Sequence, residues 1–278
     1  MKKLLLIFGL VLLFTASHAQ SRWTHSYEQA RAMSLLEHKL ILVDFTASWC
    51  GPCRKMEVLV WPRAQIKTLS EKFILLKVDI DANPDLAQKY DVKSIPRVVL
   101  IDVAESPLEE RVGYQNELAM FQLMTEYPGN VKIINDALMP LLQDKKNFIA
   151  HYNTGVAYGR YLNALKGDAK KNFYRIGEEH LELAQKHAKK NKSVRYIEKS
   201  ILEQALNLAR TDTHDKVVKS IEDYGYDKFM PENKSYMYFI LGYSAKRSGL
   251  SEELAMYKDK LDKEPGGAHF MNILDKID

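Results

Sequence analysis

Two cysteines occur in the 278 residues, and they stand together as Cys50-Gly51-Pro52-Cys53. Thiols at this spacing can exchange electrons with another disulfide, or they can supply half of a metal site. A structural zinc site needs four ligands, and with no other cysteine the remaining two would have to come from eight scattered histidines. No metal is therefore expected. In exchange the thiolate is the nucleophile, so a useful cysteine needs a lowered pKa and access, and a helix N-terminus offers both through its unpaired N–H groups and its dipole. Arg54 to Val60 follow the pair with a composition that suits a helix carrying Met56 and Val60 on one face, which puts Cys50 at the helix start. Gly51 lets the chain turn tightly, and Pro52 fits the first helical turn, where its missing N–H costs nothing. Cys50 is expected to attack a disulfide, and the more buried Cys53 to resolve the mixed disulfide that results.

The elements around the pair can be read from apolar patterning. Leu40 to Phe45 is a short β-branched run broken by Asp44, which reads as a strand buried on both faces, with Thr46-Ala47-Ser48-Trp49 leading out of it. Asp44 lies inside that strand, where desolvation should raise its pKa. Phe73 to Asp79 is a second strand, and Asn83-Pro84-Asp85 opens a short helix through Tyr90. Ile95-Pro96 precedes a third strand, Val98 to Asp102. Arg111 to Tyr114 reads as an edge strand before a helix from Asn116 to Tyr127. Alternating elements of this kind indicate an α/β layer.

Val43-Asp44-Phe45, Trp49-Cys50-Gly51-Pro52-Cys53, Lys77-Val78-Asp79 and Ser94-Ile95-Pro96 together resemble the thioredoxin family in order and spacing, over about 105 residues. The resemblance implies an α/β thioredoxin-like fold, with a central mixed sheet flanked by helices, and a thiol-disulfide oxidoreductase that needs no cofactor. It also implies roles. Asp44 exchanges a proton with Cys53 through water, and Lys77 pairs with Asp44. Pro96 is cis and presents the backbone of Ile95 beside the cysteines to an extended substrate, while Trp49 shields one side of the pair, with Gly51 and Pro52 on the same surface. Thr46 departs from the family's usual extra tryptophan, and Trp61-Pro62 replaces an early proline in the helix after Cys53. With Lys55-Met56-Glu57, these departures look more like the C-terminal domain of membrane disulfide reductases. Gly-Pro between the cysteines resembles the reducing members, so the expected partners are disulfide-containing protein substrates and a membrane electron donor. A disulfide oxidase or isomerase is the rival enzyme reading. A third reading makes the second half of the chain a binding protein, with the first half as its scaffold.

That second half changes character after Pro128-Gly129-Asn130 and reads as all-helical. Helices are expected near 131 to 143, 147 to 166, 169 to 190, 193 to 210, 213 to 224, 232 to 248 and 251 to 263, with Gly167-Asp168 among the separators. Leu241-Gly242, Gly249, Ala255, Tyr257, Leu261 and Pro265 resemble one degenerate tetratricopeptide unit, without a second copy at a 34-residue period. Tyr152, Tyr158, Tyr161, Tyr236, Tyr238 and Tyr243 read as core. Lys186, Lys189, Lys190 and Lys192, with His180 and His187 beside them, read as a solvated face.

The first residues carry Lys2 and Lys3, an apolar run from Leu4 to Phe14 and then Ser17-His18-Ala19, the pattern of a signal peptide cut before Gln20. The run is well short of the roughly 20 residues that span a bilayer as a helix. The expected organisation is thus a signal peptide, 1–19, a thioredoxin-like domain, 20–127, and a helical domain, 131–278. The product is expected to be exported, to the periplasm with secretion as the alternative, without stable membrane insertion once processed. Forty Lys and Arg against thirty-six Asp and Glu leave a net charge of +4, of which Lys2 and Lys3 supply two. So mild an excess argues against a nucleic-acid partner.

Overall fold

A computed structural model describes residues 23–211 and 213–277, so the expected signal peptide lies outside the described residues. Helix α1 (Tyr27–Glu37) starts at Ser26, whose hydroxyl accepts the Gln29 N–H as an N-cap. Four strands follow: β1 (Leu40–Thr46), β2 (Phe73–Asp79), β3 (Arg97–Ile101) and β4 (Pro107–Val112). They form one mixed sheet in the order β2-β1-β3-β4, with β1 parallel to β2 and antiparallel to β3, and β4 antiparallel to β3. The side-chain period of two divides β1 cleanly. Leu40 and Leu42 face one side with Val98 and Leu100, under Met56 of α2 (Gly51–Leu59), Ile66 of α3 (Ala64–Ser70) and Met120 of α5 (Glu117–Glu126). Ile41, Val43 and Phe45 face the other, against Ala30 of α1 and Tyr90 just after α4 (Pro84–Lys89).

Strand β4 begins at Pro107, four residues before the expected edge strand, and ends at Val112 rather than Tyr114. Leu108 is its one fully buried residue, so Pro107 to Val112 shows little of the apolar run that reveals a strand, and Gly113 at φ 82° turns the chain out of the sheet. Helices α1 and α3 were not anticipated, because neither carries a strong apolar stripe beside the strands that dominate this half.

The second half is helical, as expected: α6 (Lys132–Leu138), a 3-10 turn (Met139–Leu142), α7 (Phe148–Gly159), α8 (Gly167–Lys190), α9 (Val194–Arg210), α10 (His214–Tyr224), α11 (Pro231–Arg247), α12 (Ser251–Asp262) and α13 (Gly267–Lys276). Helix α7 stops seven residues before 166, and α8 starts at Gly167, which adopts φ 56°. That glycine had been read as a separator. It opens the helix instead, since a left-handed residue costs glycine little. Helix α13, beyond Pro265-Gly266, is additional to the expected helices, of which 251 to 263 is the last. Gly155 of α7 lets α8 come close: a Cβ there would sit 2.5 Å from Leu181 Cγ.

The sheet face that holds Leu42 and Leu100 is continuous with Ala150 and Tyr158 of α7 and with Phe173 and Ile176 of α8. A separate core joins Leu206, Ile221, Ile240, Leu261 and Leu274. Polar ties fasten the two halves. Tyr158 donates to Asp102 Oδ2 at 2.7 Å in the interior, which confirms it as core, and Arg175 of α8 donates to the Pro107 carbonyl at 2.9 Å. Helix α8 therefore covers the outer side of β4, with Asn172 donating to Glu109 at 2.8 Å. At the opposite edge Thr24 pairs with β2, its N–H donating to the Leu75 carbonyl at 2.9 Å and its carbonyl accepting from the Lys77 N–H at 2.9 Å. Lys186, Lys189, Lys190 and Lys192 are exposed as expected. His180 is not part of that face: it is buried and contacts His151.

Candidate active site

Strand β1 leads through the loop Ala47-Ser48-Trp49 to the first turn of α2. Cys50 is the N-cap residue, in extended conformation, and its Sγ accepts the Cys53 N–H at 3.1 Å. Gly51 opens the helix and Pro52 follows it in the first turn, where no backbone donor is needed. Cys50 and Cys53 are joined in a disulfide, with their Cα atoms 5.3 Å apart. The same N–H that caps the sulfur in the disulfide is placed to hold a thiolate after reduction, together with the positive end of the α2 dipole. One expectation is corrected here. Cys53 is not the more buried partner, since the two residues are 3 % and 4 % exposed. Both sit against Ala47, Ile80 and Ile95, and what separates them is that Cys50 alone stands at the end of the helix.

The surroundings place the other residues singled out by sequence. Ile95-Pro96 is a cis peptide bond, and Ile95 packs directly on the cysteine cluster. The Pro96 carbonyl accepts the Gly113 N–H at 2.8 Å, which ties the end of β4 to this loop. Trp49 is 63 % exposed, so it is no core residue. Its indole N–H donates to Asp81 Oδ2 at 2.8 Å, and Asp81 is itself set by its N–H donating to Asp79 Oδ1 at 2.9 Å.

Asp44 is buried on the β1 face that also carries Leu40 and Leu42, the face roofed by α2 and by Trp61. Burial, the largest influence, pushes its carboxyl up from the ordinary aspartate value to about 7. The Lys77 charge draws it down and the Glu57 charge pushes it up. The Trp61 indole N–H, buried and without a hydrogen bond of ordinary geometry, pulls it down slightly. A carboxyl that titrates near neutrality can take up and return a proton at working pH.

Lys77 shares that face and stands opposite Asp44 in the β1–β2 register, but its ammonium forms an ion pair with Glu57 of α2 and lies 4.7 Å over the Trp23 ring. Among the described residues it makes no ion pair with Asp44, contrary to expectation. Glu57 is the better partner because it is half solvated, whereas Asp44 sits where a charge is costly. Sequence reasoning missed Trp23, which packs edge-on to Trp61 at 5.1 Å, and Tyr114, whose ring carries Lys55 at 4.5 Å. Trp23 precedes the strands that carry the motif. Tyr114 had been counted into a strand, although Gly113 before it signals a turn.

A model of the thioredoxin family matches residues 23–126. An H-type thioredoxin of Fagopyrum esculentum is 31 % identical over 116 residues, which cover 41 % of this chain and 90 % of that protein. A thioredoxin of Staphylococcus epidermidis is 34 % identical over 94 residues, covering 34 % of this chain and 88 % of its own. Among solved structures, the C-terminal domain of DsbD from Neisseria meningitidis, in oxidised form, is 19 % identical with a TM-score of 0.34, over 37 % of this chain and 97 % of that one. The family match stops at residue 126.

Proposed function

This chain belongs to the thioredoxin family and is a thiol-disulfide oxidoreductase, and from that premise we propose that it is an exported reductase of protein disulfides. The observation that carries the reading is Cys50 at the N-cap of α2, its sulfur accepting the Cys53 N–H. In the reduced protein the Cys50 thiolate attacks a substrate disulfide, forming a mixed disulfide and expelling one substrate thiolate. Cys53 then attacks Cys50 Sγ. This releases the second substrate thiolate and leaves the Cys50–Cys53 disulfide. Asp44, working through water, accepts the proton that Cys53 loses in that step. Lys77 acts on Asp44 through its charge. Ile95, Pro96, Trp49, Gly51 and Pro52 form the surface on which an extended substrate segment lies, and the Ile95 backbone pairs with it.

Each turnover ends in the disulfide, so a reductant outside the cytoplasm needs a steady donor, and a membrane protein that returns electrons to Cys50–Cys53 is part of the proposal. The basic and apolar start of the chain supports export to the periplasm. No helix among the described residues is long and apolar enough to cross a membrane. The division of labour proposed is a catalytic part, 20–127, carried by a helical part, 131–278.

Two measurements test this reading. Mass spectrometry of the periplasmic fraction should give a mature N-terminus at Gln20, and an intact Met1 in cytoplasm alone would remove export. Equilibration of the processed protein in dithiothreitol or glutathione buffers should give a potential near or below about −230 mV. A value of about −120 to −180 mV would instead make the protein an oxidant or isomerase.

A further inference from the structure

Away from the cysteines, a cleft of about 540 Å³ opens where the helices meet the far end of the sheet. Arg31 of α1, Leu141 of the 3-10 turn, Lys145 in the loop before α7, His151 of α7, and His180 and Leu183 of α8 all line it. Sites for small organic molecules have this size and favour such junctions between parts of a fold.

The hydrogen bonds inside the cleft determine what it presents. The Lys145 carbonyl can only accept, so His151 Nε2, 3.0 Å away, carries a proton and donates it. Burial lowers the pKa of His151 and takes His180 down to about 4, so both rings are neutral at pH 7. A neutral His151 with its proton on Nε2 has a bare Nδ1. The 2.9 Å contact between the two Nδ1 atoms then places the proton on His180 Nδ1. His180 Nε2 is left as a pure acceptor, without a hydrogen-bond partner among the described residues, on a ring nine-tenths buried in the cleft wall. A ligand N–H or O–H that reaches this nitrogen would make a hydrogen bond that the described residues do not supply.

The charges at the rim are unequal. Arg31 is engaged by Glu105 at 3.4 Å, and Glu105 is also paired with Lys89. Lys145, an exposed residue at the rim, makes no ion pair among the described residues. Leu141 and Leu183 supply an apolar wall. We propose that this cleft binds a small organic carboxylate that carries an N–H or O–H donor, with the carboxylate toward Lys145, the donor on His180 Nε2 and the apolar body against Leu141 and Leu183. A transition-metal ion matches the site less well. No group of three or more metal-ligating side chains is found among the described residues.

Hippurate, N-benzoylglycine, combines a carboxylate, an amide N–H and an apolar ring. The test is calorimetric titration of the full processed protein with hippurate, with its methyl ester, which lacks the charge, and with N-benzoyl-N-methylglycine, which lacks the donor. Saturable one-to-one binding is expected for hippurate, weakened at least about tenfold in each analogue and in His180→Leu. Lys145→Ala, a change at an exposed side chain outside the core, should weaken it several-fold and keeps the test valid if His180→Leu does not fold. Three equal affinities, an affinity unchanged in Lys145→Ala, or no saturation by about 10 mM would overturn the proposal. So would a Zn²⁺-induced shift of the His180 ring signals in a protein that ignores hippurate.

Discussion

Replacing Cys50 by serine should lower the rate of protein-disulfide reduction by at least about 10³-fold, because a neutral hydroxyl at the head of α2 is a far poorer nucleophile than a thiolate. Cys53→Ser should behave differently. Cys50 can still attack, but nothing displaces the substrate from it, so the mixed disulfide accumulates as an adduct that survives denaturing electrophoresis and disappears with dithiothreitol. The two variants thus assign attack and resolution separately, which burial does not do, since both cysteines are almost equally enclosed. An adduct formed by Cys50→Ser and not by Cys53→Ser would reverse the roles.

The second large effect concerns Asp44. With its carboxyl pushed up to about 7 by burial, the folded protein prefers the protonated acid. Below about pH 4 the group is neutral in both folded and unfolded chains and costs nothing. Between pH 4 and pH 7 the unfolded chain releases the proton that the folded one retains, so stability falls as pH rises. Above pH 7 the full cost of a buried carboxylate is carried, about 4 kcal/mol at about 1.4 kcal/mol per tenfold change. Asp44→Asn removes that cost. Urea unfolding should show it more stable than the parent by about 2 to 4 kcal/mol at pH 8, with the difference vanishing near pH 4. Release of the mixed disulfide should slow by about 10²-fold at pH 7, the usual scale for losing a proton acceptor. Parallel pH–stability curves for parent and variant would show that Asp44 does not titrate in this window.

The parts of the molecule that sequence made legible are those where one residue type has one physical use. The Leu40 to Phe45 run can only be a strand buried on both faces, and Cys50-Gly51-Pro52-Cys53 requires a helix start. From these the sheet and the disulfide follow. Asp44 was legible for the same reason, since an acid inside such a strand must pay for its charge. Relations set by tertiary contact were not legible. Lys77 stands opposite Asp44 in register, yet its ammonium goes to Glu57, the carboxylate that keeps contact with solvent. Strand β4 hides in Pro107 to Val112 because only Leu108 needs the core, and the polar remainder is stabilised by neighbours far away in the chain, Arg175 and Asn172 among them. His180 reads by proximity with the lysines of its helix, although half a turn about the helix axis separates a solvated side from a buried one.

Each margin of the sheet has a neighbour, the segment at Thr24 bridged to β2 and α8 bonded to β4 through Arg175. A free margin is a template on which other chains can add strands, and proteins that must persist at high concentration alongside unfolded clients are most exposed to that hazard. Where α8 touches β4, strand addition would be hindered, so the helical half is also a partial guard against self-association. On the proposed reading, the strand that the molecule takes up is the client's, beside its sulfurs at Ile95.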